Sequence, residues 1–545
     1  MFSSRGSLAA LAFRPCLGLI GCLALLSLTA RADGQYGQND WRMIGNDIAN
    51  TRHQPDERRI GTGNVGGLAP KWVLTTGGDV SATPAVVTET IRERGRSRTR
   101  QVLYFPDWGR PGSNGVPAIP PRLWKVDAKT GEWIWQRVVG DYNGIPGSVS
   151  RTSPAYAHGL VIIGDLNGNM MGIDAKDGEL RWITELDPNP NTIVTTSPVV
   201  HGNRVYIATS SAGGGDNRAI FRGSMIALDV RTGRIVWQQF VLPDNGGVPG
   251  GFAGGAFVNP PAIDIRNGLV IAAAGQLYAQ PESVTACLAA APGGWSETCF
   301  PDNAYFNSVV AFDLRTGKPR WSFRGAGPDA RRLGCGETAP SWCPPWEKNF
   351  SVWDFAGSGA NVFRARVHGR MRTVVGIGEK SGVYWLFDAR TGRLLWATLV
   401  GHGDDPGGIQ WGTAVDGERI YVAIGHFRNA VPYTLPSGET ITGGSWAALD
   451  PSNGRILWQT PDPQGASDLA ALTVANGVVY AGSMAAQGDQ MYALHARTGE
   501  ILWQYAAGGS VVAGPAVVDG TVYWGSGYAR TGGVRNDLFY AFGLD

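Results

Sequence analysis

Short apolar runs alternate with turn-forming clusters along almost the whole chain, and the alternation returns as recognisable phrases. Seven stretches share one form: "VDAKTGEWIW" (126–135), "IDAKDGELRW" (173–182), "LDVRTGRIVW" (228–237), "FDLRTGKPRW" (312–321), "FDARTGRLLW" (387–396), "LDPSNGRILW" (449–458) and "LHARTGEILW" (494–503). An apolar strand typically ends at an Asp, whose carboxylate can hold the amides of a turn. The Gly that follows supplies the positive φ of a tight hairpin. A second strand then leaves and carries a Trp four residues beyond the Gly. Each copy predicts a β-hairpin with an aromatic anchor.

A second phrase lies upstream of these hairpins, as in "SPAYAHGLVIIGD" (153–165), "SPVVHGNRVYIATS" (197–210) and "GPAVVDGTVYWGSG" (514–527). It too reads as strand, Gly-containing turn, strand. Two hairpins make a four-stranded antiparallel meander, and no helical periodicity interrupts the pattern. One such sheet cannot bury both faces, but sheets stacked around an axis cover one another, so the fold class is an all-β propeller. The C-terminal "YAFGLD" (540–545) is the first half of an eighth copy, and "GLAPKW" (67–72) supplies the missing half. The expectation is eight blades of four strands, closed by an N-terminal strand that completes the last blade. The anchors would be Trp72, Trp135, Trp182, Trp237, Trp321, Trp396, Trp458 and Trp503, all packed between blades.

The bulk numbers alter this picture little. The 545 residues include 78 Gly, which fits many tight turns, and the net charge of +2 points to no nucleic-acid partner. The basic run "RERGRSRTR" (92–100) lies between two strand-like stretches and reads as a solvated hairpin loop. Arg5 and Arg14, the apolar stretch 16–30 and "ARA" at 30–32 form a secretory signal over residues 1–32, which leaves 33–545 as one propeller domain in the periplasm or secreted. "LIGC" (19–22) also matches a lipobox, which would place a lipid on Cys22. No later stretch has the apolar length of a membrane helix. Four further cysteines suggest two loop staples, Cys287–Cys299 and Cys335–Cys343, in an oxidising compartment. No CxxCH occurs, so covalent haem attachment is excluded.

The meander also fixes where chemistry can gather. Residues just before the first strand of a blade and just after its second strand share one face of the ring, near the axis. That places Arg151, Thr195, Ser210, Asn259, Gln276, Asp354, Lys380 and Trp411 together, although they come from different blades. Asp354 in "SVWDFAGSG" and Lys380 in "GIGEKSG" can serve as a general base with an electrostatic partner. A solvated ion pair at a channel mouth is the other reading, and the residues alone leave both open.

The Asp–Gly–Trp repeats resemble the tryptophan-docking motifs of the pyrroloquinoline quinone (PQQ) dependent alcohol dehydrogenases, the quinoproteins, which are eight-bladed propellers. "KSGVYWLFDARTGRLLWATLVG", "YTLPSGETITGGSWAALDP", "ALTVANGVVYAGSM" and "AGPAVVDGTVYWGSGY" most resemble the polyvinyl alcohol dehydrogenase branch. "GNDIANTRHQP" (45–55) is similar to that family's opening segment. The resemblance implies oxidation of secondary alcohols, polyvinyl alcohol to its keto form, with PQQ and Ca²⁺ as cofactors and a separate cytochrome c as acceptor. It implies that Asp354 takes the hydroxyl proton and that Lys380 contacts the quinone carbonyl. Arg151, Thr195, Ser210 and Trp411 would contact the cofactor, and Asp354, Gln276 and Asp216 would hold the metal.

Four positions depart from the family pattern. The paired cysteines that form a platform over the quinone have no counterpart in "NGIPGSVS" (143–150). The stacking tryptophan falls at Val258, the metal-binding asparagine at Gln276, and the metal-binding glutamate near Gly213, where Asp216 is the nearby carboxylate. A flat cofactor gains much from stacking, so the loss of that platform weakens the case for it. A second class therefore stays open: a propeller that binds a protein or another ligand without catalysis, as outer-membrane assembly propellers do.

Overall fold

Each Asp–Gly–Trp phrase folds as the outer hairpin of a four-stranded antiparallel sheet, and eight such sheets make the ring. The structure, a computed structural model, describes residues 39–544 apart from 94–95, 114–115, 213–218, 293–295, 326–354, 404–406 and 427–431. Blades 1 to 7 span residues 85–138, 155–185, 199–240, 262–324, 361–399, 414–461 and 473–505. Blade 8 joins residues 516–543 to the N-terminal strand Ala69–Thr75. In that closing pair Trp72 lies opposite Ala541 and Val73 opposite Tyr540, so the front of the chain completes the last blade as the repeats predict.

The chemistry of the repeated phrase is visible at the blade boundaries. The turn carboxylate of Asp229 accepts the N–H groups of Arg231 and Thr232 at 3.1 and 3.2 Å, and Asp127, Asp313 and Asp388 cap their turns alike. The Trp indole N–H donates to the residue after the next blade's turn Asp: Trp135 to Ala175 at 3.2 Å, Trp182 to Val230 at 3.0 Å and Trp321 to Ala389 at 2.9 Å. Trp72 reaches Ala128 at 3.1 Å and so carries the seam from blade 8 to blade 1. The turn Gly has a second duty here. A Cβ on Gly131, Gly233, Gly317 or Gly392 would come within 2.4–2.7 Å of the preceding Trp ring, and each of these residues sits at positive φ. The indole therefore lies flat on a surface that only Gly can offer.

Three features were not predicted. Two short helices, Val139–Asn143 and Glu282–Ala290, interrupt the β pattern. The second belongs to the long insertion of blade 4, where the Cys287–Cys299 disulfide is formed; Cys335 and Cys343 lie outside the described residues. The basic run extends the first hairpin of blade 1 into strands Ala85–Glu93 and Arg96–Pro106, with Arg100 paired to Asp127 at 2.7 Å.

The third feature sets the site. The first strands of neighbouring blades touch around the axis, and residues 41–54 run across them. The main-chain N–H groups of Val86, Tyr156, Ile263, Val362, Val415 and Val474 donate to the carbonyls of Trp41, Arg42, Ile48, Ala49, Thr51 and Arg52 at 2.7–3.0 Å. Gln54 Nε2 donates to the Val517 carbonyl at 3.1 Å. Those partners belong to blades 1, 2, 4, 5, 6, 7 and 8, so one irregular segment ties seven innermost strands together. Asn46, Asn50 and Arg52 take the left-handed conformation, with φ of 67°, 56° and 52°, which bends the segment around the ring.

Candidate functional site

The residues just ahead of each inner strand form a polar belt. The Thr83 N–H donates to Ser153 Oγ and the Ser153 N–H to Ser197 Oγ, both at 2.9 Å, while Thr83 Oγ1 donates to the Gly514 carbonyl at 2.8 Å. The Ser-Pro starts of the upstream phrases therefore link one blade to the next. Inside this belt is a cavity with about 540 Å³ of atom-free space, open solvent included. Arg151, Thr195, Asn259 and Trp411 line it, with Ile44 and Arg52 from the opening segment.

Arg151 is the clearest electrostatic feature. Its guanidinium carbon lies 4.7 Å from the centre of the Trp108 ring, and Nη2 donates to the Tyr528 hydroxyl at 3.4 Å. Burial holds the group below the ordinary arginine range, and Tyr528 and Arg530 are the charged or titratable groups that act on it. Arg52 is fully buried. It donates to the carbonyls of Ile44 and Trp411 at 3.4 and 3.2 Å, its Nε has no partner among the described residues, and burial pulls its pKa down to about 10. Neither arginine has a carboxylate partner among the described residues. A desolvated cation without a counter-charge is costly, and an anionic ligand removes that cost.

Other polar atoms at the axis also lack partners. Thr195 Oγ1, Trp411 Nε1 and Gln276 Oε1 are buried without a hydrogen bond among the described residues. Trp411 adopts φ +56°, with its N–H on the Gly357 carbonyl at 2.8 Å. Asn259 donates its side-chain N–H to the same carbonyl. Lys380 is not among the residues lining the cavity, but its side chain covers Gly357, where an added Cβ would meet Cγ at 3.0 Å. Ser210 is buried in a two-stranded ladder opposite Ile193, two residues from Thr195. Gln276 follows the second strand of blade 4, and its carbonyl accepts the Gly255 N–H at 2.8 Å. Asp354 and Asp216 lie outside the described residues.

A flat, anionic, oxygen-rich cofactor fits this donor set: Arg151 for a carboxylate, and Thr195 Oγ1 and Trp411 Nε1 as unmatched donors. Val258 leaves its side of the cavity without an aromatic ring, whereas Trp411 and Tyr528 line it from other blades, and the Trp108 ring meets that of Tyr528 edge-on. The metal is less defined. Among the described residues no group of three or more His, Cys, Asp and Glu side chains is placed to hold an ion. Arg52, Trp108 and Tyr528 were not singled out from the sequence. Arg52 does stand in "GNDIANTRHQP", and the resemblance of that stretch was the available signal.

Fold and cavity together define an eight-bladed β-propeller with a polar pocket at its axis. By sequence the chain belongs to the family described as outer membrane protein assembly factor BamB, whose profile matches residues 75–323 and 442–536. It is 26% identical over 537 residues to a polyvinylalcohol dehydrogenase of a Pseudomonas species, covering 90% of this chain and 73% of that one. A second polyvinylalcohol dehydrogenase, from Sphingopyxis sp. strain 113P3, is 26% identical and covers 78% of this chain and 67% of its own. Among solved structures, the quinohemoprotein alcohol dehydrogenase ADHIIG of Pseudomonas putida superposes with a TM-score of 0.66 at 20% identity, covering 93% of this chain and 80% of that one. The last of these supports the fold.

Proposed function

We propose that this chain is a PQQ-dependent alcohol dehydrogenase that oxidises secondary alcohols, with polyvinyl alcohol as the favoured substrate and a separate cytochrome c as electron acceptor. The observation that carries the reading is the half-buried Arg151, without a carboxylate among the described residues, in one cavity with the unmatched Thr195 and Trp411 donors. The named relatives, which match most of the chain, agree with it.

When bound, the quinone supplies two-electron oxidation and Ca²⁺ supplies Lewis-acid assistance. In this reading Arg151, Thr195, Ser210 and Trp411 hold the quinone, and Gln276, Asp354 and Asp216 hold the ion. Asp354 takes the hydroxyl proton from the alcohol as general base, and Lys380 stabilises negative charge beside it. Conversion of the alcohol to a ketone releases two electrons and two protons. In this reading the electrons then pass to the separate cytochrome c.

Reconstitution tests this. Purified protein is mixed with PQQ and Ca²⁺, and dye reduction is followed with polyvinyl alcohol and with short secondary alcohols. Uptake of the quinone, seen by its absorbance, and alcohol-dependent turnover are expected. Asp354→Asn should abolish turnover and leave uptake largely intact. A chain that takes up no quinone would overturn the enzyme reading in favour of a binding scaffold, which the description of the family profile and the substituted Val258 and Gln276 positions favour.

A further inference from the structure

Residues 108–112 and 116–121, with 146–149, make a second concave surface beside the central cavity. The first two stretches fold back on each other, as Arg110 and Ile119 exchange main-chain hydrogen bonds at 2.8 and 3.2 Å. Gly109, at φ +58°, packs against the Ile119 carbonyl, and the Asp107 carboxylate accepts its N–H at 2.6 Å. The resulting groove holds about 580 Å³ of atom-free space, open solvent included. Trp108, Arg110, Pro111, Val116, Pro117 and Pro146 are prominent in its lining.

Two properties separate this groove from the cavity. Among the described residues it carries no uncompensated charge, because Arg110 is the one ionisable residue of them that lines it and is paired to Asp537 at 3.2 Å. It is also apolar at its lip, where Val116 is 64% exposed and the neighbouring Ile145 41%. Yet the two spaces are joined by one side chain: Trp108 lines the groove and stacks on Arg151, which lines the cavity.

We propose that this groove is a subsite for a neutral polyol chain whose reacting carbinol lies in the central cavity. The proposal rests on the function proposed above. A chain of alternating CH₂ and CHOH units has an apolar edge that can lie on proline rings and an indole, while its hydroxyls stay in water. It bears no charge and so asks for none in return. A polymer too long for the cavity must rest on the surface next to it, and Trp108 places the groove there.

The test uses fluorescein-labelled polyvinyl alcohol on the full chain without quinone, and kinetics with the reconstituted protein. Val116→Asp and Pro146→Ser should each weaken polymer binding roughly 10-fold, by loss of apolar contact. The KM for 2,4-pentanediol should stay within about twofold, since the short diol does not reach the groove. Polymer affinity unchanged in both variants would overturn the subsite, as would an equal rise for polymer and diol. If the variants instead slowed only transfer to cytochrome c, the groove would be a protein-docking face and the proposal would be wrong. Groove-dependent polymer binding without any alcohol oxidation would uphold the subsite and sink the catalytic reading, so the two fail separately.

Discussion

The rim and the axis of this ring treat arginine in opposite ways. At the rim, the turn aspartates of successive blades meet arginines on adjoining strands: Arg100 with Asp127, Arg204 with Asp229, Arg320 with Asp313 and Arg372 with Asp388. These pairs are wet and self-sufficient. At the axis, Arg52 is buried and Arg151 half-buried, and they face carbonyls, a ring and a hydroxyl rather than carboxylates among the described residues. The rim is finished without a ligand, and the axis is not. Fold and site can thus be distinguished by whether charge is settled inside the chain.

That contrast can be broken at several points. The largest effect is expected at the seam. Trp72→Ala removes an indole that lies on Gly131 and donates to Ala128, and should cost about 4 kcal/mol in chemical denaturation. A loss below about 1 kcal/mol would mean that the ring does not depend on its anchors.

Asp107 offers a sharper probe next to Trp108. Burial raises its pKa to about 6, although Trp124 and Gly109 donate to it. The folded chain therefore keeps a proton that the unfolded chain releases near pH 4. This contribution is complete below pH 4 and is lost as pH rises to about 6, by about 3 kcal/mol. Asp107→Asn should remove that slope, seen as the difference between wild-type and variant stability curves over the same pH range.

Arg151→Met tests the axis directly. Quinone affinity should fall about 10- to 100-fold, while the cofactor-free protein gains up to about 1 kcal/mol from losing a half-buried charge that has no carboxylate partner among the described residues. A destabilised variant would show that Arg151 is already satisfied, as the rim arginines are. The smallest effect is expected from Arg320→Ala, whose exposed pair with Asp313 should be worth less than about 0.5 kcal/mol in thermal denaturation.

Much of the ring was legible because its contacts recur. The Trp anchors, the turn glycines and the pairing of Trp72 with the C-terminal strand all follow from a phrase that recurs along the chain. The geography of the meander likewise brought Arg151, Thr195, Asn259 and Trp411 to one cavity without any recurrence among those residues. The floor of that cavity was not legible. Residues 41–54 bind through main-chain carbonyls to six blades and through one side chain, that of Gln54, to a seventh, so their side chains carry no periodic pattern. Nor was the aromatic surface, because Trp108 and Tyr528 are 420 positions apart in the chain and meet only when the ring closes. Helix Glu282–Ala290 escaped notice because it is nine residues long, too short for its periodicity to stand out.

The threading of residues 41–54 sets an order of events. These residues emerge from the ribosome early, yet their docking points at Val474 and Val517 and the Leu538–Gly543 partner of Trp72 are made last. The leading stretch can meet blades 1 and 2 early through Trp41 and Arg42, but it is tied to all seven blades only in a late, long-range step. A polypeptide interrupted before that final strand has blades but no floor beneath Arg151. Binding competence therefore arrives all at once, when the last strand is in place.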